Sequence, residues 1–84
     1  MNIENLVTMA NQIGTFYASY PDQTEGRTEI ANHLHRYWAP RMREQLFAHI
    51  DVEEGEGLHA IVLVAIMEHR RDKATPPPPG GDAG

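Results

Sequence analysis

Three interruptions fix what this chain can become: Tyr20-Pro21-Asp22, Trp38-Ala39-Pro40, and the acidic, glycine-bearing stretch from Asp51 to Gly57. Proline biases the residue before it away from the helical region, so a helix is expected to end or kink at the first two. What remains is a set of short segments that must pack side by side in one domain. The 84 residues include no cysteine, so no disulfide or thiolate metal site can staple them. A chain this short buries only about 60–65% of its unfolded surface, and its own core is small.

The segments read as helices. From Ile3 to about Tyr20, Asn2 suits the N-cap and Glu4 the first turn. Ile3, Leu6, Val7, Ala10, Ile13 and Tyr17 recur at helical spacing, and Met9, Phe16 and Tyr20 widen the stripe beyond the ~100° of an ordinary surface helix. Part of that face either packs in the core or awaits another chain. Asp22 and Glu25 resemble a capping box for a second helix ending near Trp38, which would bury Ile30, Ala31, Leu34, Tyr37 and Trp38. Gly26 weakens its first turns by up to about 1 kcal/mol relative to alanine. Pro40 suits the first position of a third helix running to about Ile50, with Ala39 as the joint and Met42, Leu46 and Ile50 on one face; a kinked continuation of the second helix is the alternative.

The eight apolar residues from Ala60 to Met67 fit a buried strand or a helix equally well by periodicity. Nothing else resembles a strand, and a lone strand leaves its backbone groups unpaired. A helix from about His59 to Arg71 is therefore expected. Its apolar residues point all round, which implies burial on every side. Three other short helices can hardly supply that, so a partner or self-association is implied. The expected fold is all-α, three to four short helices over residues 1–71. Residues 72–84, with Pro76 to Pro79 and then glycines, cannot build a core and are expected to form a disordered tail.

Function classes fall away in turn. Seven basic against twelve acidic residues give a net charge of −5, the wrong sign for a dedicated nucleic-acid binder. No apolar run approaches the roughly 20 residues of a membrane span, and Met1 to Asn5 lack a signal-peptide pattern; a cytoplasmic protein is expected. His33 and His35 diverge by about 200° on a helix, and His49, His59 and His69 are scattered, so no metal site is expected. Ser19 is the sole serine, without a nucleophile turn, and the glycines of Glu54-Gly55-Glu56-Gly57 alternate with carboxylates that repel phosphate. No catalytic or cofactor-binding residue is expected.

The segment His33 to Arg43 stands out. It holds the single tryptophan, and four of the seven basic residues lie between Arg27 and Arg43. Arg41 and Arg43 would sit in the first turn of the third helix, where the dipole disfavours cations by about 0.3–1 kcal/mol each. Trp, Tyr and Arg are the usual anchors of protein interfaces. Two readings stand side by side: a docking element, or a core Trp38 with Arg41 paired to Glu44 and Arg43 solvated. The acids Asp51, Glu53, Glu54 and Glu56 read as a solvated loop or as a complement to a basic partner.

Val7-Thr8-Met9-Ala10-Asn11-Gln12-Ile13-Gly14 and His33-Leu34-His35-Arg36-Tyr37-Trp38-Ala39-Pro40-Arg41-Met42-Arg43-Glu44-Gln45-Leu46, followed by Gly57-Leu58, resemble the delta subunit of NAD-dependent, molybdenum-containing formate dehydrogenases. The resemblance covers about residues 3 to 70 and leaves the proline-glycine tail outside. It implies a non-catalytic accessory subunit that docks on the large, molybdenum-bearing subunit and supports assembly, cofactor retention or stability. The bis-molybdopterin guanine dinucleotide, iron–sulfur clusters and FMN of such a complex would lie in other subunits, and this chain would hold none. Trp38, Pro40, Arg41, Met42 and Arg43 match the family's distinctive run and are the candidate docking residues. A standard interface takes about 800 Å² per partner, roughly a sixth of the ~5,000 Å² surface of a chain this size. A transient assembly chaperone for the large subunit is the alternative, and a small helical DNA-binding regulator a more distant one.

Overall fold

A computed structural model describes residues 2–74, which form four helices: α1 (Ile3–Tyr17), α2 (Gln23–Tyr37), α3 (Pro40–Glu53) and α4 (Ala60–Ala74). Among the described residues there is no strand, so the Ala60–Met67 ambiguity resolves to helix. α4 runs three residues past the expected Arg71, and the proposed tail from residue 75 onward lies outside the described residues.

Each start follows its sequence signal. The Asn2 side chain accepts the Glu4 N–H at 2.7 Å, and the Asp22 carboxylate accepts the N–H groups of Thr24 and Glu25 at 2.9 and 3.2 Å. Such caps satisfy orphan donors and are each worth about 1 kcal/mol. Ala39 is extended (φ −64°, ψ 150°) and Pro40 opens α3, so the proline separates two helices rather than kinking one.

The ends differ from expectation. α1 stops at Tyr17, where Ser19 Oγ donates to the Phe16 carbonyl at 2.7 Å, and Gln23 Nε2 donates to the carbonyls of Ala18 and Tyr20 in the turn that follows. α3 continues past Ile50 to Glu53 and ends where Glu54 turns left-handed (φ 60°), with the Gly55 N–H folded back on the His49 carbonyl at 3.3 Å.

The core draws on every helix: Leu6 and Ala10 of α1, Ile30, Ala31 and Leu34 of α2, Trp38 in the α2–α3 joint, Leu46 of α3, and Val62, Ala65 and Ile66 of α4 are all buried. Full burial of side chains such as Leu6 or Ile30 contributes about 1.5–3 kcal/mol each. α1 packs on all three other helices, and α2 and α4 form the most extensive pair. Their contact carries an ion pair, Arg27 Nε to Glu68 Oε1 at 2.9 Å.

Two glycines mark the closest approaches. A Cβ on Gly14 would run into the Val62 side chain, and one on Gly26 would lie 2.7 Å from the Tyr17 carbonyl oxygen. Gly26 is thus more than a weak helix residue; it lets α2 lie against the end of α1.

One expectation of burial fails, and two faces left open in the sequence lie in solvent. Tyr37, expected inside, is 67% exposed, and Phe16 is 64% exposed. The bundle covers one side of α4 and leaves Val64 and Met67 on the other in solvent, so burial on every side is not achieved within this chain.

Candidate partner-docking surface

The five residues singled out in the sequence have different fates. Trp38 is 6% exposed and belongs to the core, with an extended backbone (φ −89°, ψ 140°) that turns the chain out of α2. Arg43 reaches back across the joint. Its Nη1 donates to the carbonyls of Leu34, His35 and Trp38, so it caps the C-terminus of α2 and is not solvated. Met42 is half-buried against the core. Pro40 and Arg41 are exposed, and among the described residues Arg41 makes no ion pair with Glu44 or any other acid.

The first motif serves the same architecture. Ala10 and Gly14 are buried against the bundle. Asn11 bridges to the far side of the chain: its Nδ2 donates to Gly57 O at 2.9 Å and its Oδ1 accepts the His59 N–H at 2.8 Å. One side chain thereby fixes the acidic loop and satisfies a donor at the start of α4.

One side of α1 and α2 carries a run of rings, Phe16 and Tyr37 exposed and Tyr17, Tyr20 and His33 half-buried. Phe16 and Tyr17 meet edge-to-face at 4.9 Å, and Tyr17 and Tyr20 at 5.2 Å. Tyr17 also faces His33 at 6.4 Å, and His33 faces Tyr37 at 4.8 Å. These rings run from the end of α1 onto α2, beside a shallow groove of about 400 Å³ bordered by Met9, Ile13 and the edge of Trp38. Desolvation among the rings, together with Tyr17, Glu29 and Glu25 nearby, pushes the Tyr20 hydroxyl above its ordinary pKa. Aromatic pairs are worth about 0.5–1.5 kcal/mol beyond area burial. The sequence places Tyr37 in the core and leaves Phe16, Tyr17 and Tyr20 on a stripe that either packs in the core or awaits another chain. No helical spacing separates them from the core, since Tyr37 lies only about 20° round the helix from Ile30 and Tyr20 follows the end of α1.

Among the described residues no three His, Asp or Glu side chains come together where they could hold a metal ion. The sequence has no cysteine to ligate an iron–sulfur cluster. No described helix is long and apolar enough to cross a membrane.

Residues 5–66 match the family model described as "NADH-dependant formate dehydrogenase delta subunit FdsD". No curated protein and no solved structure matches the chain.

Proposed function

The chain belongs to the formate dehydrogenase delta-subunit family, and on that premise we propose that it is a non-catalytic accessory subunit docking on the large, molybdenum-bearing subunit. There it supports assembly, cofactor retention or stability. The bis-molybdopterin guanine dinucleotide, iron–sulfur clusters and FMN reside in the other subunits. The observation that carries the docking role is the aromatic face on which Phe16 and Tyr37 are exposed and Tyr17, Tyr20 and His33 are half-buried beside them. Large, rigid rings ordered against one another lose little entropy on binding and supply most of the energy of a small interface.

Within the stretch from Trp38 to Arg43, Pro40 and Arg41 are exposed at the α2–α3 joint and are the members of that run open to a partner. Trp38, Met42 and Arg43 act from beneath, holding the joint in shape. Docking then depends on the exposed members directly and on the buried ones through the fold.

Purification of the complex through the large subunit tests this. Phe16→Glu, Tyr37→Glu and Arg41→Glu are expected to weaken retention of this chain at least tenfold while the isolated variants keep their helicity. Retention of all three at the level of the unsubstituted chain would overturn the assignment of this face.

A further inference from the structure

A hollow of about 280 Å³ opens on the flank of the aromatic face, lined by Tyr17, Glu29, Asn32, His33, Arg36 and Tyr37. Three rings border it: Tyr17 faces His33 at 6.4 Å, and His33 faces Tyr37 at 4.8 Å. A carboxylate stands beside them because of the spacing along α2. Glu25, Glu29, His33 and Tyr37 are each four residues from the next, and so are neighbours on the helix surface.

Glu29 is half-buried, and among the described residues no ion pair reaches it. The cations of α2 are placed otherwise. Arg27 is bound to Glu68 on α4 at 2.9 Å. Arg36 lines the same hollow but is exposed and makes no ion pair with Glu29, from which it lies seven residues, about 10 Å, along the helix. A carboxylate drawn partly out of water carries a desolvation cost that a counter-charge offsets. After desolvation and Tyr17, Glu29 and Glu25 help to hold the Tyr20 hydroxyl above its ordinary pKa, so their field extends over the rings at the end of α1. The faces of those rings are themselves electronegative.

Rings and carboxylate together favour a cation, and of the protein cations a guanidinium fits both. It is planar, stacks on an aromatic face and donates two parallel N–H bonds to a carboxylate, whereas a lysine ammonium is a strongly hydrated point charge. We propose that this hollow receives one arginine side chain of the large subunit, stacked among the rings of Tyr17, His33 and Tyr37 and bonded to the Glu29 carboxylate. Arg36 disfavours a second cation beside Tyr37, so the surface selects a single arginine and not a basic run.

This contact rests on docking by the aromatic face and names the partner group that face recognises. The formate dehydrogenase complex is purified through the large subunit with this chain as Glu29→Gln, as Glu29→Lys or, for a carboxylate at the far end of α1, as Glu4→Gln, and the helicity of each variant is checked. Glu29→Gln is expected to lower retention at least fivefold and Glu29→Lys further, with Glu4→Gln unchanged. Raising salt from about 0.05 to about 0.5 M should weaken retention of the unsubstituted chain more steeply than that of Glu29→Gln. Replacing the surface arginines of the large subunit one at a time by alanine should reveal one whose loss releases the unsubstituted chain by a similar factor and adds nothing to Glu29→Gln. Absence of such an arginine overturns the proposal, even where a Glu29 variant unfolds. Full retention of both Glu29 variants while Phe16→Glu and Tyr37→Glu are released also overturns it, and leaves docking by the aromatic face standing. Full retention of all four overturns both readings.

Discussion

Arg43, in the first turn of α3, holds the carbonyl of Trp38, the residue that ends α2. A cation at a helix N-terminus is unfavourable for that helix, but here the guanidinium lies at the C-terminal end of its neighbour and closes the carbonyls of Leu34 and His35 as well. The favourable dipole of α2 outweighs the unfavourable one of α3, because three charge-assisted hydrogen bonds accompany it. A residue that breaks a local rule in the sequence is thus obeying a tertiary one.

Removing this clamp destabilises the α2–α3 joint. Arg43→Met keeps the aliphatic packing and removes the donors, and is expected to cost about 1.5–3 kcal/mol in urea unfolding, the usual range for hydrogen bonds from charged groups. Arg43→Lys, with its point charge and no planar fork, recovers part of that loss. Arg41→Ala, on an exposed residue nearby, stays within about 0.5 kcal/mol.

Gly14 gives a test in which helix propensity and packing oppose each other. Alanine is favoured over glycine in a helix by about 1 kcal/mol, so propensity alone predicts that Gly14→Ala stabilises α1. The Val62 side chain occupies the space a Cβ needs. Overpacking of this kind costs about 1–3 kcal/mol, and net destabilisation is expected. Combining it with Val62→Ala should cost less than the sum of the single changes, a positive coupling measurable in a double-mutant cycle.

Asn11 ties α1 to the loop before α4 through both ends of its amide. Asn11→Ala removes two hydrogen bonds at about 0.5–1.5 kcal/mol each, and Asn11→Asp, which loses the donor alone, falls in between. Hydrogen exchange at Gly57, Leu58 and His59 should accelerate more than exchange in the core of α2.

The Asp51–Arg70 pair sets a small acid limb on stability. Hydrogen bonding from Arg70 holds the Asp51 carboxyl below its ordinary value of 3.8, with partial desolvation opposing. The folded state therefore binds this proton less readily than the unfolded state. The resulting stabilisation is complete above the unfolded value and disappears as pH falls through the lower folded one. In urea unfolding from pH 7 to pH 2, Asp51→Asn should lack this limb. The difference from the unsubstituted chain is constant above about pH 5 and shrinks below pH 4. Both residues face solvent, so added salt reduces it.

The helices were legible because their signals are local. Asn2, Asp22 and Pro40 mark three starts, and each acts there as its chemistry dictates. The ends were less so: α1 stops where Ser19 and Gln23 reach back to free carbonyls, and α3 persists because Glu54 tolerates the left-handed turn. Trp38 was legible as an anomaly without revealing which way it faces; burial makes it a core residue, for which Trp38→Ala costs about 3–5 kcal/mol. The exposed rings of Phe16 and Tyr37 were hidden by composition, because an aromatic residue reads as interior until the neighbouring helices are placed. Asn11 carried no local signal, and Arg43 showed only as a cation against the α3 dipole, since each acts on backbone brought near only by the tertiary fold.

Native mass spectrometry of the formate dehydrogenase complex purified through this chain tests the central claim most directly. The account predicts one large assembly in which this chain is present at close to one copy per molybdenum-bearing subunit. Recovery of the chain alone, as a monomer or a homo-oligomer, would contradict it.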